Sequence, residues 1–537
     1  AGLYMLHKIQ TYTDMSVKLL ESASEIGGTW YWNRYPGARC DVESMQYSYA
    51  FSKELQQEWE WTEQYATQPE ILKYINHVAD KYNLREKIDF NSKVLSLIFN
   101  EKTGLWKIQT NDKRKLFAKF CIMATGCLSS PYTPTFKGIK KFLGPVYHTG
   151  KWPKENVSFF DKTVGIIGTG SSAIQSIPII AEEAKHLFVF QRTPHYTVPA
   201  RNRKLNYNSS LDKSNYKEPK GFGFDKDLSV EEIKAGYDKL RQKANSMFSA
   251  MAFPLNAKSA LEVSQKEREE EYEKRWNMGG VPFIGSFSDL NTNRQANETA
   301  ASFVRNKIQS IVKNPIIAKI LTPSYAIGCK RLAVDTDYYK TFNRKNVTLV
   351  DLSKTSISEI TTKGVLVGHN LFEIDSLIMA TGFNAMTGAL SNIHIVGKNG
   401  KTLREKWKGG PKSYLGLAIE GFPNLFTITG PGSPSVFTNM IISIEQHVDW
   451  IYECLKFMKN KNIKEIEAKY SAQNDWAKYN NSVAENHIRS SCNSWYMGSN
   501  IEGKPNIFMP FVGGFPKYKK ICNQVSNNNY KGFNLKY

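Results

Sequence analysis

The six residues 168–173, GTGSSA, have the types and spacing of a turn that binds a pyrophosphate group. They follow an apolar run, 163–167, that predicts a strand, and they open a helical pattern over 171–184. The first glycine permits the tight bend, the second lets backbone N–H groups approach the phosphates, and the alanine lets the helix pack against the strand. The helix N-terminus favours the negative charge. The predicted dinucleotide-binding residues are Gly168, Gly170, Ser171, Ser172 and Ala173.

The end of the next strand, predicted over 186–190, indicates which nicotinamide cofactor binds. A site for NAD places Asp or Glu there, where it binds the ribose 2′-hydroxyl. This chain has Gln191, Arg192 and Thr193 instead. Arg192 can pair with a 2′-phosphate, Thr193 can donate a hydrogen bond, and Lys330 is a candidate second cation. The sequence therefore predicts NADPH.

Part of a second dinucleotide site stands at the start of the chain. Ala1-Gly2-Leu3, followed by a helical pattern, is similar to the end of a GxGxxG turn with Gly2 as its third glycine. Glu21 ends a short predicted strand over 17–21, where a carboxylate binds an adenosine ribose. The first strand and the first two glycines of the unit are missing, which favours a truncated sequence. The predicted cofactor here is FAD.

These turns require a scaffold of alternating strands and helices. A helix is predicted over 69–82 and strands over 92–99, 105–110 and 116–123, the last running into ATG. Strands resume over 347–352 and 364–367, a second strand-to-ATG junction covers 376–382, and a long helix is predicted over 441–458. The pattern predicts the α/β class, with two Rossmann-like dinucleotide-binding domains.

The composition changes between 205 and 323, where charged segments at helical period predict a helical insertion in the NADP-binding domain. The expected domains interleave because each receives a late segment of the chain. The FAD-binding domain takes 1–135 and 375–537, with a mobile loop at about 491–514. The NADP-binding domain takes 136–204 and 324–374, and the insertion takes 205–323.

Composition excludes several other function classes. The chain has 537 residues and a net charge of +21, but the excess is dispersed as single lysines, so a solvated surface is favoured over nucleic-acid binding. No apolar run reaches the roughly 18 residues of a membrane span. Seven cysteines without a CxxC pair suggest reduced thiols in the cytoplasm. The sequence shows no metal-ligand cluster, P-loop or Ser/His/Asp set.

Two longer motifs identify a family. Residues 142–153 read FLGPVYHTGKWP, with Phe, Gly, His and Trp-Pro spaced as Phe-x-Gly-x-x-x-His-x-x-x-Trp-Pro. Residues 27–41 read GGTWYWNRYPGARCD, which fits Gly-x-Trp-x4-Tyr-Pro-Gly-x3-Asp. The chain resembles the type I Baeyer–Villiger monooxygenases, of the phenylacetone and cyclohexanone monooxygenase kind. The resemblance continues through CKRLAVDTDYY, GPGSPS and NSWYMGSN and covers nearly the whole chain.

The resemblance implies a reaction and its partners. NADPH reduces FAD, O2 adds at C4a of the flavin, and the peroxide attacks a ketone to give an ester or lactone. The expected partners are a small-molecule ketone and O2, with a monomer or weak oligomer as the assembly. Within this family's motif and its surroundings, the implied FAD-binding residues are Gly28, Thr29, Trp30, Asp41 and Tyr47.

Arg331 matches the active-site arginine of the family, and Asp41 matches its partner carboxylate. A guanidinium stays charged and donates several hydrogen bonds, so it can stabilise both an anionic peroxide and the oxyanion of the carbonyl adduct. Lys330 would face the 2′-phosphate. Trp495 resembles a residue of a loop that closes over NADP+ and excludes water.

The fingerprint residues Phe142, Gly144, His148 and Trp152 are interpreted as hinge residues between the domains. His148 is not expected to act as a general base, since the reaction has no obvious proton for it. Two alternatives stay open. Related flavin monooxygenases oxidise N and S centres but lack the fingerprint Trp, and a chain without its first strand could be an inert fragment that does not hold FAD.

Overall fold

A five-stranded parallel sheet forms the centre of the molecule. The computed structural model describes residues 1–205 and 230–537. In spatial order the strands are Val347–Asp351, His186–Gln191, Thr163–Ile167, Ser376–Met379 and Val146–His148. The inner strands are apolar and buried on both faces, as parallel sheets require. The helix Ser171–Glu183 follows Thr163–Ile167 directly, so its N-terminus lies at the carboxyl edge of this sheet.

A second region contains the start and the end of the chain. The helix Gly2–Tyr12 precedes the strand Leu19–Leu20, which pairs in parallel with Ile88–Asp89. The antiparallel strands Val94–Asn100, Leu105–Thr110 and Lys115–Ala118 make a meander that His394–Val396 joins. The long helix Met440–Asn460 packs against Gly2–Tyr12 and against Phe515–Asn527. Together with the central sheet, this arrangement confirms the α/β class with two Rossmann-like units.

Helices are the only regular elements of the segment 230–323, as its charge pattern predicts. Its α-helices are Val230–Ala235, Tyr237–Ser246, Gln265–Met278, Arg294–Ile311 and Pro315–Leu321, and residues 247–264 connect two of them without a helix. Side-chain oxygens of Ser264, Asn293 and Asn314 cap three of them, by accepting the N–H groups that have no partner within the helix. The rest of the predicted insertion, 206–229, lies outside the described residues.

The remaining elements connect these regions. The other α-helices are Thr29–Trp32, Lys53–Glu58, Gln68–Lys81, Tyr338–Thr341, Gly388–Ser391, Leu403–Lys406 and Tyr470–Glu485. The other strands are Cys121–Met123, Thr197–Pro199, Ala333–Asp335, Ile357–Ile360, Gly364–Val367, Asn370–Glu373, Leu425–Thr427, Glu465–Ala468 and Phe533–Lys536. Across the two described ranges, no helix is long and apolar enough to cross a bilayer.

Strand pairing refines two sequence-based segments. The strand Ser376–Met379 pairs with Thr163–Ile167 in the central sheet, although the expected FAD-binding domain resumes at residue 375, and the domain bounds stay a prediction. Four consecutive buried residues fit only an interior position of a parallel sheet. The strand predicted over 116–123 is two strands, because Cys121–Met123 leaves the meander and pairs with Leu425–Thr427.

Candidate active site

An ion pair between Arg331 and Asp41 joins distant parts of the chain. Arg331 Nη2 lies 3.0 Å and Nε 3.3 Å from Asp41 Oδ2, and Arg331 Nη1 donates to the Val436 carbonyl at 3.3 Å. The Asp41 side chain is 9% exposed and that of Arg331 36%. Burial alone would lower the pKa of Arg331, but the charge of Asp41 raises it above its ordinary value. The guanidinium is therefore held in place and fully charged.

Arg331 is also fixed through its backbone. The His195 imidazole lies 2.6 Å (Nε2 to O) from the Arg331 carbonyl, so Nε2 carries the proton and donates it. Burial lowers the pKa of His195 to about 4, which keeps the ring neutral in this role. Arg331 then leads into the strand Ala333–Asp335, which pairs with Thr197–Pro199. Sequence reasoning missed His195, because no motif contains it.

Asp41 is held by the helix that follows the pyrophosphate turn. We call residues 27–41 the motif loop. Gln175 Nε2, on the helix Ser171–Glu183, lies 3.4 Å from Asp41 Oδ1 and donates to the Arg39 carbonyl at 3.1 Å. Gln175 Oε1 accepts the Tyr35 hydroxyl at 2.9 Å. Sequence reasoning also missed Gln175, although a polar residue among the isoleucines of an otherwise apolar helix was an available signal.

The glycine of the Tyr-Pro-Gly sequence explains how the motif loop reaches this helix. Gly37 has φ +79°, and a Cβ there would lie 2.3 Å from the Gln175 carbonyl oxygen. Only glycine permits both this conformation and this approach. The motif loop also contains a short helix, Thr29–Trp32.

The pyrophosphate turn is closed on one side and open on the other. At Gly168 (φ +112°) a Cβ would lie 2.5 Å from the Ala380 carbonyl oxygen, whereas at Gly170 no heavy atom lies within 4 Å of that position. No side chain caps the helix that begins at Ser171, and Ala173 is fully buried against the sheet. The Ser172 hydroxyl contacts the Thr149 hydroxyl at 3.1 Å. Open N–H groups at an uncapped helix N-terminus fit a pyrophosphate group.

The cations predicted for a 2′-phosphate lie near one another. Arg192 is exposed at the end of the strand His186–Gln191, and the Thr193 carbonyl accepts the Thr169 hydroxyl at 2.8 Å. Lys330 Nζ stands 5.2 Å from the centre of the Tyr325 ring. Burial lowers the pKa of Lys330, and the charge of Arg192 lowers it further. A dianionic phosphate between these groups would reverse that effect.

The N-terminal residues also have the geometry of a dinucleotide cradle. A Cβ at Gly2 would lie 2.8 Å from Leu19 Cδ1, so the glycine lets the helix Gly2–Tyr12 pack against the first strand. Glu21 follows that strand, and its Oε1 accepts the Ala23 N–H at 2.8 Å. Trp30 Nε1 donates to the Tyr47 hydroxyl at 3.2 Å. Gly28 and Thr29 are exposed, and nothing lies within 4 Å of a Cβ at Gly28.

The fingerprint residues lie in or beside the strand Val146–His148, and two of them, His148 and Trp152, contact earlier parts of the chain. His148 Nδ1 accepts the Gly150 N–H at 2.9 Å, so Nε2 carries a proton and faces the Tyr132 carbonyl at 3.1 Å. Burial lowers the pKa of His148, which keeps it neutral. The buried Trp152 donates its backbone N–H to Trp32 of the motif loop at 3.2 Å. Phe142 is buried, and a Cβ at Gly144 would lie 2.1 Å from the Asp375 carbonyl oxygen.

A C-terminal segment lies against the other side of Arg331. We call residues 488–514 the covering segment. The Trp495 ring lies 4.1 Å from that of the buried Tyr496, whose electrostatic partners are Arg331, Arg489 and Asp41. Two side chains attach the segment to residues 383–385. Asn500 Nδ2 donates to the Phe383 carbonyl at 2.8 Å, and Lys504 Nζ donates to the Ala385 carbonyl at 2.8 Å.

A disulfide ties the covering segment to the Arg331 loop. It joins Cys329 to Cys492, whose Cα atoms are 6.1 Å apart across 163 residues of sequence. The expectation of reduced thiols throughout is therefore wrong for this pair. Widely spaced cysteines gave no pairing signal, because only the fold brings them together. The other five cysteines are buried thiols.

Comparison with known proteins gives one matching family model and several relatives that match nearly the whole chain. The family model of pyridine nucleotide-disulphide oxidoreductases matches residues 19–214. The chain is 39% identical to a cyclohexanone 1,2-monooxygenase of Acinetobacter sp over 99% of its own length and 94% of the relative's. It is 36% identical to the phenazine N-monooxygenase PhzNO1 of Lysobacter antibioticus, over 100% and 95% of the two chains. The solved structure of an oxidised steroid monooxygenase bound to NADP matches with a TM-score of 0.91 at 44% identity, over 100% of this chain and 97% of that one.

Proposed function

The chain belongs to the Baeyer–Villiger monooxygenases, and from this premise we propose how its own residues perform the reaction. The enzyme uses NADPH and O2 to insert one oxygen atom beside a ketone carbonyl, which gives an ester or a lactone. FAD, when bound, supplies the reduced ring that activates O2. The observation that carries the proposal is the Arg331–Asp41 ion pair, which connects the motif loop to the edge of the NADP-binding sheet.

Two sets of residues are proposed to hold the cofactors. FAD is held by Gly2, Glu21, Gly28, Thr29, Trp30, Asp41 and Tyr47, and NADPH by Gly168, Gly170, Ser171, Ser172, Ala173, Arg192, Thr193, Lys330 and Trp495. The open turn at Gly170 and the neighbouring charges of Arg192 and Lys330 support the second set. The hinge role of Phe142, Gly144, His148 and Trp152 is a proposal that rests on the contacts of His148 with Tyr132 and of Trp152 with the motif loop.

Arg331 is proposed to stabilise the negative charge that develops on the substrate oxygen. A charged donor that is already oriented does not have to reorganise as the charge appears, and such donors give the largest electrostatic effects in catalysis. Asp41 limits the guanidinium to one orientation, and Gln175 and His195 act as positioning residues behind the pair. The Arg331 side chain, 36% exposed, keeps part of its surface available for substrate.

The test separates oxygenation from NADPH binding. We expect Arg331→Ala to reduce ester formation from cyclohexanone by about 10²–10³-fold, as loss of one such donor does elsewhere. Flavin reduction by NADPH, measured by stopped flow, should change much less, because Lys330 and Arg192 remain. Arg331→Lys keeps the charge but loses the two-point contact with Asp41. Its rate of ester formation should therefore lie between that of the parent and that of Arg331→Ala. Ester formation at the parent rate in Arg331→Ala would falsify the role of this residue.

Oxidation of a heteroaromatic nitrogen is the second candidate, because one relative of similar identity is named a phenazine N-monooxygenase. The ketone proposal is favoured by the cyclohexanone monooxygenase relative and by the fingerprint Trp152. Parallel assays with cyclohexanone and phenazine distinguish the two, and only the absence of ketone turnover would favour the second. The cytoplasmic location, the domain bounds and the monomeric or weakly oligomeric state stay predictions.

A further inference from the structure

A second arginine lies on the covering segment close to Arg331. Arg489 belongs to the short 3-10 helix Ile488–Ser490, and its Cζ stands 4.3 Å from the centre of the Phe437 ring. Phe437 follows Val436, whose carbonyl accepts Arg331 Nη1 at 3.3 Å. Tyr496 packs on Phe437 with ring centres 4.6 Å apart. Both guanidinium groups are therefore placed around the same two residues, Val436 and Phe437.

Among the described residues, the charge of Arg489 has no counter-charge in contact with it. Its Nη1 is buried and has no hydrogen-bond partner, and within residues 1–205 and 230–537 its side chain forms no ion pair. Burial lowers the pKa of this guanidinium, Tyr496 partly opposes that effect, and the charge of Arg331 lowers it further. The cluster of Arg331, Asp41 and Arg489 thus carries one excess positive charge. A charge that is partly withdrawn from water without a partner is destabilising, and an anionic ligand would offset that cost.

We propose that Arg489 binds the carboxylate of a keto-acid substrate while Arg331 faces its ketone. The surroundings fit the carbon chain between these two groups, because the buried side chains packed together here are apolar: Met386, Val436, Phe437, Tyr496, Phe508 and Met509. A guanidinium above an aromatic ring recognises a planar carboxylate with two donors. The inference rests on the proposed function and adds a substrate class to it.

The same chemistry could come from a cofactor phosphate. The cations assigned to that phosphate are Lys330 and Arg192, whose charges act on each other. The charge of Arg489 acts instead on Arg331 and Tyr496. Arg489 shares Val436 and Phe437 with Arg331, the residue assigned to the ketone, which favours the substrate as the source of the anion.

The experiment compares 6-oxoheptanoate with its neutral methyl ester in the holoenzyme. In both reactions one ketone, one NADPH, one proton and one O2 give one ester, one NADP+ and one water. We expect the parent to prefer the acid over its methyl ester by at least about tenfold in kcat/KM, the effect of a single charge-assisted contact. Arg489→Leu should lower this ratio by about tenfold, and Arg489→Lys should retain most of it. Arg344→Leu, the same change at an exposed position, should leave the ratio as in the parent.

Each outcome has one meaning. No turnover of either compound by the parent contradicts the proposed function, whereas turnover with an equal ratio in the parent and Arg489→Leu contradicts only the keto-acid inference. A rise in the NADPH KM with equal losses for acid and ester would assign Arg489 to the cofactor phosphate and overturn it. Hexanoate supplies a readout that needs no turnover of the acid. It should compete with the methyl ester in the parent and lose about tenfold in affinity in Arg489→Leu, and equal inhibition would sink the idea.

Discussion

The motif loop supplies Asp41 of the Arg331–Asp41 pair and the covering segment lies close to that pair, but the two segments differ in how far their polar groups are satisfied. The motif loop is joined to the helix Ser171–Glu183 by close backbone packing at Gly37 and by the hydrogen bonds of Gln175. The covering segment is attached by one disulfide, by side chains and by backbone hydrogen bonds, among them Phe511 N–H to the Ser433 carbonyl at 2.8 Å. Within the described residues it leaves three buried polar atoms without partners, Arg489 Nη1, Ser494 Oγ and Asn500 Oδ1, whereas the motif loop leaves one, Asn33 Oδ1. The attachment of the motif loop is therefore more nearly satisfied within the protein, while the covering segment retains more capacity for a ligand.

The largest expected effect comes from breaking the contact between the motif loop and the helix Ser171–Glu183. In Gly37→Ala the new Cβ would meet the Gln175 carbonyl oxygen at 2.3 Å, and φ is +79°. We expect a loss of about 3 kcal/mol or more of stability, because a rigid backbone atom cannot move aside and the left-handed conformation adds strain. Thermal unfolding followed by circular dichroism should show a melting temperature several degrees lower.

The covering segment offers a matched control for this change. Gly503 also has a positive φ, +74°, but nothing lies within 4 Å of a Cβ there. Gly503→Ala should therefore cost only the conformational strain, about 1–2 kcal/mol. If both variants melt at the same temperature, the close approach at Gly37 adds nothing to the stability of the protein.

The same contrast explains what the sequence could predict. The motif loop and the pyrophosphate turn depend on glycines at sites where only glycine fits, so their roles are visible in the residue types at Gly37 and Gly168. The roles of Gln175, His195 and Arg489 depend on which distant atoms the fold brings next to them, and no local spacing encodes that. The disulfide between Cys329 and Cys492 was unpredictable for the same reason.

The strand Ser376–Met379 illustrates the same contrast at the level of the fold. Its four apolar residues and the following Ala-Thr-Gly predicted a strand correctly, but the sheet to which it belongs depends on pairing with Val146–His148 and Thr163–Ile167. Such pairing is a long-range property. Element type was therefore predictable from residues 376–379, whereas domain membership was not.

A smaller effect is expected from weakening the contact between the motif loop and the helix Ser171–Glu183 without breaking it. Gln175→Leu removes the donors to Asp41 and to the Arg39 carbonyl, so Asp41 gains freedom and orients Arg331 less well. We expect ester formation to fall about tenfold, which corresponds to about 1.4 kcal/mol of activation free energy. The rate of flavin reduction by NADPH, measured by stopped flow, should change little, in contrast to the rate of ester formation.

A double-mutant cycle shows whether Gln175 acts through the ion pair. If Gln175 only positions Asp41 and Arg331, then Gln175→Leu should have little further effect on ester formation in an Arg331→Ala background. A full tenfold loss in that background would instead mean that Gln175 supports the fold or the dinucleotide turn independently. Gln175→Glu keeps the shape but places a second negative charge beside Asp41, so it should be at least as impaired as Gln175→Leu.

The smallest effect tests how the covering segment is attached. Lys504 Nζ donates to Asn384 Oδ1 and to the Ala385 carbonyl, both at 2.8 Å, and burial lowers its pKa from 10.5 to about 8. The docked segment therefore binds fewer protons than the undocked one between pH 8 and pH 10.5, so docking should strengthen as the pH rises through that range. Because Lys504 is only partly buried, we expect a change of about 1 kcal/mol.

Amide hydrogen exchange of residues 491–514, corrected for its intrinsic pH dependence, measures this change in the free energy of docking. Lys504→Met should lower protection at all pH values and remove the dependence, whereas the motif loop should show no such dependence in either protein. A pH-independent covering segment in the parent would mean that Lys504 docks without losing its proton.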